Sequence, residues 1–271
     1  MGKNYLIIAH FHSKGLIRSD LKCLIDESSK RFDKVYLIST NLKKRETKKI
    51  SKKIYFKIRK NEGYDFLSWK VGIQAFLKDY KKNIKDKHLF LLNSSYYFFD
   101  HKKFINKILA FKKKNNDKIW SLSKSYEMSY HLQSGFYCFP AKFFLNKKFY
   151  NWWNNIKKFK NRMIIVKKYE LGFSNFLIKN NYNIDCIFKE NLFLKPNSIV
   201  KKINQKFVDI FWKKTKLYKK NPTHYFWKNY LKKIGVIKIE LIKKNPINTD
   251  LSYLKILDAR KKNFLKEAME N

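Results

Sequence analysis

Residues Tyr5–Ser39 read YLIIAHFHSKGLIRSDLKCLIDESSKRFDKVYLIS, and this stretch decides the fold. Tyr5–Ala9 is an apolar run that reads as a buried first strand, and His10–Gly15 is the loop at its carboxyl end. From Arg18 to Lys30 the apolar positions Leu21, Leu24 and Ile25 recur at helical spacing. Val35–Ser39 is again β-branched and aromatic, so the order is strand, helix, strand.

The pattern continues along the chain. A basic stretch, with ten Lys or Arg and one acidic residue between Lys43 and Lys60, encloses a small strand at Ile54–Ile58. Phe66–Tyr80 carries Trp69, Ile73, Phe76 and Leu77 on one helical face, and Leu89–Leu92 is the most apolar strand candidate. Phe104–Lys114 reads as a helix and Lys118–Leu122 as a strand. Strands alternating with crossovers of this length favour an α/β layered domain with a mainly parallel sheet. Ligands in such sheets sit outside the carboxyl ends of the strands, which directs attention to His10–Gly15, Asn61–Asp65 and Asn93–Tyr96.

Beyond that core, Leu132–Phe139 alternates partly and stops at Pro140. Phe143–Phe159 reads as one aromatic helix on which Trp152 and Trp153 cannot both face inward, so one of them is expected on a neighbouring loop. Tyr169–Lys179 has helical spacing in Leu171, Phe176 and Leu177. After Pro196 the character changes: Phe207, Ile210 and Phe211 form one stripe, Asn221–Pro222 reads as a cap with a first-turn proline, and Leu254, Leu257 and Leu265 mark a last amphipathic helix. The expected division is a layered domain over residues 1–200 and a mainly helical extension over 201–271 packed on it.

A chain of 271 residues can bury roughly three quarters of the surface its unfolded form exposes. With 44% hydrophobic and 17% aromatic residues it has the material for a core, which excludes a disordered chain. Its 62 basic and 21 acidic residues leave +41, spread along the whole length. A field of that sign attracts phosphate-rich partners, whether nucleic acid, anionic lipid or a charged glycan carrier, although drift toward Lys on solvated faces explains it as well. Cys23, Cys138 and Cys186 are odd in number and far apart, which fits a reducing compartment and no disulfide framework. The apolar start at Met1–His10 is too short for a signal peptide, Leu6 stands where myristoylation wants Ser or Thr, and no run approaches a bilayer span, so any membrane contact is expected to be peripheral.

Four polar groups are candidates for chemistry. In Asn61–Phe66, Gly63 permits a tight turn, and Asn61 and Asp65 either hold a nucleotide's ribose or base or, for Asp65, simply cap the following helix. His10 and His12 point the same way on an extended segment, as a loop pair or as ligands of one phosphate or metal. Asn93, Ser94 and Ser95 suit phosphate or sugar but lack the carboxylate that a hard cation wants. His131, Gln133 and Ser134 form a further polar group, and Glu170 sits where a helix amino end welcomes a carboxylate even without function. No dinucleotide fingerprint, Walker motif or zinc-finger spacing is present, so no specific nucleic acid is expected, although basic residues interleaved with Tyr, Phe and Trp keep a nucleic-acid-binding module as the lesser alternative.

Several ordered blocks bring a resemblance into view: IIAHF (Ile7–Phe11), RKNEGYDFLSWKVG (Arg59–Gly72), LFLLNSS (Leu89–Ser95), HLQSGFYCF (His131–Phe139), KYELGFSNFLIKNNY (Lys168–Tyr182) and NPTHYFWKNYL (Asn221–Leu231). Together they resemble the rhamnan synthesis protein F family over about residues 5 to 247. That resemblance implies a GT-A-like glycosyltransferase fold with a mainly parallel central sheet and a C-terminal helical extension. It also implies a nucleotide-sugar donor and, as acceptor, a glycan or lipid-linked glycan of a rhamnose-containing or related bacterial surface polysaccharide; the charge and the cysteines add the expectation of a cytoplasmic protein at an anionic membrane surface.

By the same resemblance, Asn61 and Gly63 fall near the donor nucleotide and Ser94 falls where the diphosphate-metal carboxylate motif usually sits; from their positions and chemistry Asp65, Asn93, Ser95, His10 and His12 are expected on the donor side as well, with Lys14 contacting pyrophosphate directly. Glu170 falls near the acidic residue that serves as base, with His131 as second candidate and Gln133 and Ser134 toward the acceptor. The family commonly reads Asn-Asp-Ser where this chain has Asn93, Ser94, Ser95. An Mg or Mn cofactor would use that missing carboxylate, so Ser94 puts metal dependence in question and keeps a non-catalytic glycan-assembly scaffold as an alternative. In the first loop His12, Ser13 and Lys14 replace an aspartate-rich sequence. The expected chemistry is inverting transfer, with Glu170 deprotonating the acceptor hydroxyl.

Overall fold

The computed structural model describes residues 3–48, 50–80, 83–189, 221–260 and 264–270. Its strands are β1 (Asn4–His10), β2 (Lys34–Ser39), β3 (Tyr55–Ile58), β4 (His88–Asn93), β5 (Tyr96–Phe98), β6 (Ile119–Ser125), β7 (His131–Leu132), β8 (Phe136–Pro140), β9 (Ile184–Phe188) and β10 (Val236–Lys238). Eight of them form one sheet in the order β3-β2-β1-β4-β8-β6-β7, with β9 also on β6, and β10 pairs β5 in a small second sheet. The run from β3 to β4 is parallel, as is β6 with β9, whereas β8 runs antiparallel between β4 and β6. The protein is thus an α/β fold with a mainly parallel central sheet, as its alternation of elements predicts.

The sheet is covered on both faces, which is why its central strands are continuous apolar runs. Along β1, Leu6 and Ile8 join the cluster that packs the helix Ser19–Arg31, while Tyr5, Ile7 and Ala9 face the helix Tyr64–Tyr80. β4 divides in the same way, with Phe90 and Leu92 on one side and Leu89 and Leu91 on the other. The Trp69 indole donates to the Leu92 carbonyl (3.1 Å), tying that helix to the end of β4. Such two-sided burial fixes register, because a one-residue slip would swap every side chain between unlike layers.

Two expectations in the aromatic region after β8 need correction. Phe143–Phe159 is not one helix: a 3-10 turn at Ala141–Leu145 ends at Asn146, whose side chain accepts the Lys148 and Phe149 amides and starts a separate helix, Lys147–Asn154. Trp153 is buried as expected, but half-buried Trp152 packs on Phe173 of the helix Gly172–Lys179, not on a loop (centroids 4.5 Å apart).

The C-terminal segment combines helix with strand. Asn221 caps Pro222–Tyr225 through the Thr223 amide, as the sequence suggests. After the helix Trp227–Ile234 the chain enters β10 and runs antiparallel to β5, with Lys238 opposite Tyr96. The expected last amphipathic helix is two helices, Ser252–Arg260 and Phe264–Glu270. Leu254, Leu257 and Leu265 join Tyr97 and Trp227 in a separate apolar cluster. The Phe207, Ile210 and Phe211 stripe and the boundary at residue 200 lie outside the described residues.

Candidate functional site

At the carboxyl end of β4 the chain leaves the core through Asn93 and turns at Ser94–Ser95 into β5. The Asn93 amide gathers three loops. Its Nδ2 donates to Asp65 Oδ2 (2.7 Å) and to the Ser134 carbonyl (3.3 Å), while its Oδ1 accepts the Ser95 amide (3.2 Å) and the Ser95 hydroxyl. One buried side chain therefore fixes the loop before the helix Tyr64–Tyr80, the β4–β5 turn and the β7–β8 turn.

The loop carrying Asp65 is a built corner. Gly63 and Tyr64 both adopt positive φ (69° and 49°), and a Cβ on Gly63 would meet Leu67 Cβ at 2.9 Å, so glycine is required there. Arg59 braces the corner by donating to Ser68 Oγ (2.9 Å) and to the carbonyls of Lys60 (2.8 Å), Glu62 and Tyr64. Asp65 lies in the first turn of the helix and faces Asn93. Burial raises its pKa, opposed by the Asn93 hydrogen bond and the charge of Lys238. Asn61 stays exposed at the outer edge of this corner.

Glu170 projects from Val166–Leu171, a π-helical turn between Arg162–Ile165 and Gly172–Lys179. Such irregular turns re-aim side chains and recur at functional sites. Glu170 Oε1 accepts the Ser134 amide (2.7 Å) and lies 3.9 Å from His131 Nε2. The other ring nitrogen, Nδ1, meets the Ser129 carbonyl at 2.7 Å. A carbonyl only accepts, so Nδ1 carries the proton and Nε2 is the nitrogen turned to Glu170.

These groups border a cleft of about 430 Å³, lined by Asp65, Asn93, Ser95, Gln133, Ser134 and Glu170 on the sheet side. Its other wall holds Arg162, Asn221, Lys238, Glu240, Lys243 and Lys244. Sequence reading passed over nearly all of that wall. Lys238 donates to Ser95 Oγ (2.7 Å) and rests 4.3 Å from the Tyr96 ring centroid, and a lone lysine within the apolar run Val236–Ile239 was the available signal. Burial lowers its pKa, opposed by the charges of Glu170, Asp65 and Glu240. Burial works to raise the Glu240 pKa, yet Arg162 (3.6 Å), His224 (3.9 Å), Lys238 and Lys244 (3.8 Å) hold it below the usual value.

Of the other sequence candidates, Gln133 borders the cleft while Ser94, His10, His12 and Lys14 do not. Ser94 is buried, its hydroxyl accepting the Phe11 amide (3.0 Å) and donating to the Phe11 carbonyl (3.2 Å). Gln133 accepts from Ser123 Oγ (2.5 Å) and donates to Asn221 Oδ1 (2.9 Å), so it pins the C-terminal segment to the sheet. His10 Nδ1 meets Ser39 Oγ at 2.8 Å, and burial, helped by the Arg18 and His12 charges, lowers its pKa to about 3. His12 Nδ1 accepts the Lys14 amide (3.1 Å), and Lys14 Nζ lies 3.8 Å from Glu270 Oε2. The two imidazoles thus serve separate partners.

The divalent cation implied by the resemblance needs several oxygen ligands, carboxylates foremost. Position 94 supplies none, its hydroxyl is engaged on both sides, and Lys238 brings a positive charge to the next residue. Among the described residues no three His, Cys, Asp or Glu are grouped so as to hold a metal ion. At this turn the residues present do not fit such an ion.

A family model described as rhamnan synthesis protein F matches residues 35–260. The chain belongs to the rhamnan synthesis protein F family. It is 24% identical over 193 residues to "Uncharacterized protein y4gN" of Sinorhizobium fredii (strain NBRC 101917 / NGR234), covering 70% of this chain and 49% of that relative, so it spans about half the relative's length. Among solved structures it is similar to 4-diphosphocytidyl-2C-methyl-D-erythritol synthase from Anaerococcus prevotii DSM 20548, with TM-score 0.42, 12% identity, and 79% and 100% of the two chains covered. For mannose-1-phosphate geranyltransferase from Thermus thermophilus the values are 0.40, 10%, 56% and 63%. For galactosyltransferase LgtC with donor and acceptor sugar analogs they are 0.33, 10%, 62% and 71%. Among the described residues no helix is long and apolar enough to cross a membrane.

Proposed function

We propose that the protein is a GT-A-like glycosyltransferase that moves a sugar from a nucleotide-activated donor to a surface polysaccharide or its lipid-linked precursor. One observation carries this reading: Asp65, Asn93 and Glu170, each from a different family block, share one cleft outside the carboxyl end of β4 with Lys238 and Arg162. Carboxylates to move a proton and cations to receive a diphosphate are the two kinds of group that glycosyl transfer requires.

In this reading the acceptor hydroxyl loses its proton to Glu170 and attacks the anomeric carbon with inversion, as the nucleoside diphosphate departs. The Ser134 amide holds the Glu170 carboxylate in place, and His131 stands behind it. Rhamnose as the sugar rests on the family's description alone. Action at the cytoplasmic face of an anionic membrane rests on the +41 charge and on the unpaired state of Cys23, Cys138 and Cys186.

The experiment is sugar transfer from a panel of nucleotide sugars by the wild type, Glu170→Gln and His131→Ala. Loss of general-base chemistry is expected to slow Glu170→Gln by about 10²–10⁴-fold, with a smaller loss for His131→Ala. Unchanged turnover in Glu170→Gln would remove Glu170 from the mechanism. The engaged hydroxyl of Ser94 favours a second reading, a glycan-assembly scaffold that binds nucleotide sugar without turning it over. Donor binding with no transfer to any acceptor would select it.

A further inference from the structure

The β4–β5 turn holds an unusual neighbour for a lysine. Lys238 is not a surface side chain that has fallen into a cleft: the β5–β10 ladder sets it opposite Tyr96, and the Ile239 amide donates to the Ser95 carbonyl (3.0 Å) to hold the register. The ammonium stands over the Tyr96 ring and donates to Ser95 Oγ, whose own proton goes to Asn93 Oδ1. An ammonium has three donors, and the described hydrogen bonds use one. Asp65 and Glu170 act on it through space without taking it in a described salt bridge, and their charges oppose the burial that lowers its pKa.

Beside it, Ser94 can neither supply a negative charge nor turn outward without giving up two bonds to the Phe11 main chain. A divalent ion placed at this turn would lack its carboxylate and would also face the Lys238 charge at close range, where repulsion in a partly dry cleft is strong. Arg162, Lys243 and Lys244 extend the same positive wall toward the mouth.

Resting on the glycosyltransferase reading, we propose that Lys238 is the resident cation of the donor site: its ammonium, with Arg162 at the mouth, receives the donor's diphosphate and stabilises it as it leaves, in place of a divalent metal ion. Charge balances without an added ion. The diphosphate carries away the electron pair of the broken sugar–phosphate bond, Glu170 takes the acceptor's proton, and Lys238 stays protonated throughout.

The test is calorimetric titration of the full chain with UDP, GDP and thymidine diphosphate, in EDTA and again with manganese. At least one nucleotide is expected to bind in EDTA with an affinity that manganese leaves unchanged. Lys238→Met should weaken that binding by about 10- to 100-fold, the loss of one charge-assisted hydrogen bond, and Lys238→Arg should restore most of it. Thermal melting of both variants separates lost binding from lost folding, and the metal comparison on the wild type does not depend on either variant. Binding that needs manganese or magnesium would overturn the metal-free inference and leave the glycosyltransferase reading standing. Wild-type affinity in a folded Lys238→Met would overturn the role of Lys238. Failure of all three nucleotides to bind in either condition would overturn both.

Discussion

β1 and β4 are neighbouring parallel strands, each apolar along its centre and each followed at its carboxyl end by a short loop, yet the polar side chains of the two loops have opposite fates and only Phe11 of the first loop reaches the cleft. After β4, Asn93 and Ser95 open onto the cleft, and β10 lays Lys238 against them. After β1, His10 turns back to Ser39, His12 to the Lys14 amide, and the helix Phe264–Glu270 covers the loop with acidic groups. The Glu270 carboxylate lies 3.8 Å from Lys14, its main-chain carbonyl accepts the Ser13 hydroxyl (3.1 Å), and Glu267 accepts the Ser19 amide at the start of the next helix (3.2 Å). One C-terminal segment thus furnishes the first loop with a carboxylate and the second with a cation. Position after a strand makes a loop a candidate; what the rest of the chain lays across it decides whether it is open to a ligand.

Arg18 joins the two loops, and its removal has the largest expected effect on stability. Nearly inaccessible, it pairs with Asp20 (2.8 Å) and donates to the carbonyls of Ser94 (3.0 Å) and Tyr96 (2.7 Å), while Asp20 accepts the Phe98 amide (2.8 Å). Arg18→Met would leave Asp20 buried beside unpaired carbonyls and should cost about 3–5 kcal/mol, read from the midpoint of urea unfolding. A loss near zero would mean the two loops are not held together through this pair.

Next comes the floor of the open loop. A Cβ on Gly135 would lie 2.4 Å from Tyr96 Cε2 and 2.7 Å from its hydroxyl, and the ring is buried and cannot retreat. Gly135→Ala should therefore cost about 1–3 kcal/mol by overpacking. Since the same ring carries Lys238, nucleotide affinity should fall along with stability. Stability lost with affinity intact would separate the ring from the donor site.

How much of this contrast is legible in the sequence follows from the physics of each element. β1, β2 and β4 announce themselves because strands buried on both faces are uninterrupted apolar runs, and the helices between them keep a clear apolar stripe. Asp65, Asn93 and Glu170 come into view through the family blocks, though nothing in their spacing says they meet; Asn93 brings the first two together across 28 positions and Ser134 joins the third. Lys238 is illegible for the opposite reason. It lies 143 positions from Ser95, on a strand of three residues, and so short an edge pairing leaves no periodicity to read. The covering of the first loop is equally hidden, since exposed Lys14 and half-buried Glu270 look like ordinary solvated charges.

The closed state of the first loop also has a pH signature. With its pKa lowered to about 3, His10 is neutral in the folded protein, whereas in the unfolded chain it titrates near its ordinary 6.5. The unfolded state then binds the extra proton between those values, so the stability due to neutral His10 is complete above pH 6.5 and is lost progressively down to about pH 3. The slope from this residue should reach about 1.4 kcal/mol per pH unit within that window, and His10→Gln should flatten the acid limb by that amount. His88 and His224, each lowered to about 4 chiefly by burial, add to the wild-type slope and remain in the variant. Equal acid slopes in the two proteins would show that His10 is reached by water and that the loop is open after all.

The smallest expected effect is the sharpest test of the comparison. Lys14 is the cation of the first loop that a phosphate would find, and its side chain is 57% exposed, but its partner is Glu270 at 3.8 Å. A pair of that kind contributes about 0–1 kcal/mol, so Lys14→Ala should barely move thermal melting. If the first loop lies outside the donor site, Lys14→Ala should also leave nucleoside diphosphate affinity where it was, under the conditions in which Lys238→Met lowers it. A matching loss in both variants would mean that the Phe264–Glu270 helix leaves the loop when nucleotide binds. The two loops would then be halves of one site, and the closed first loop would describe only the ligand-free state.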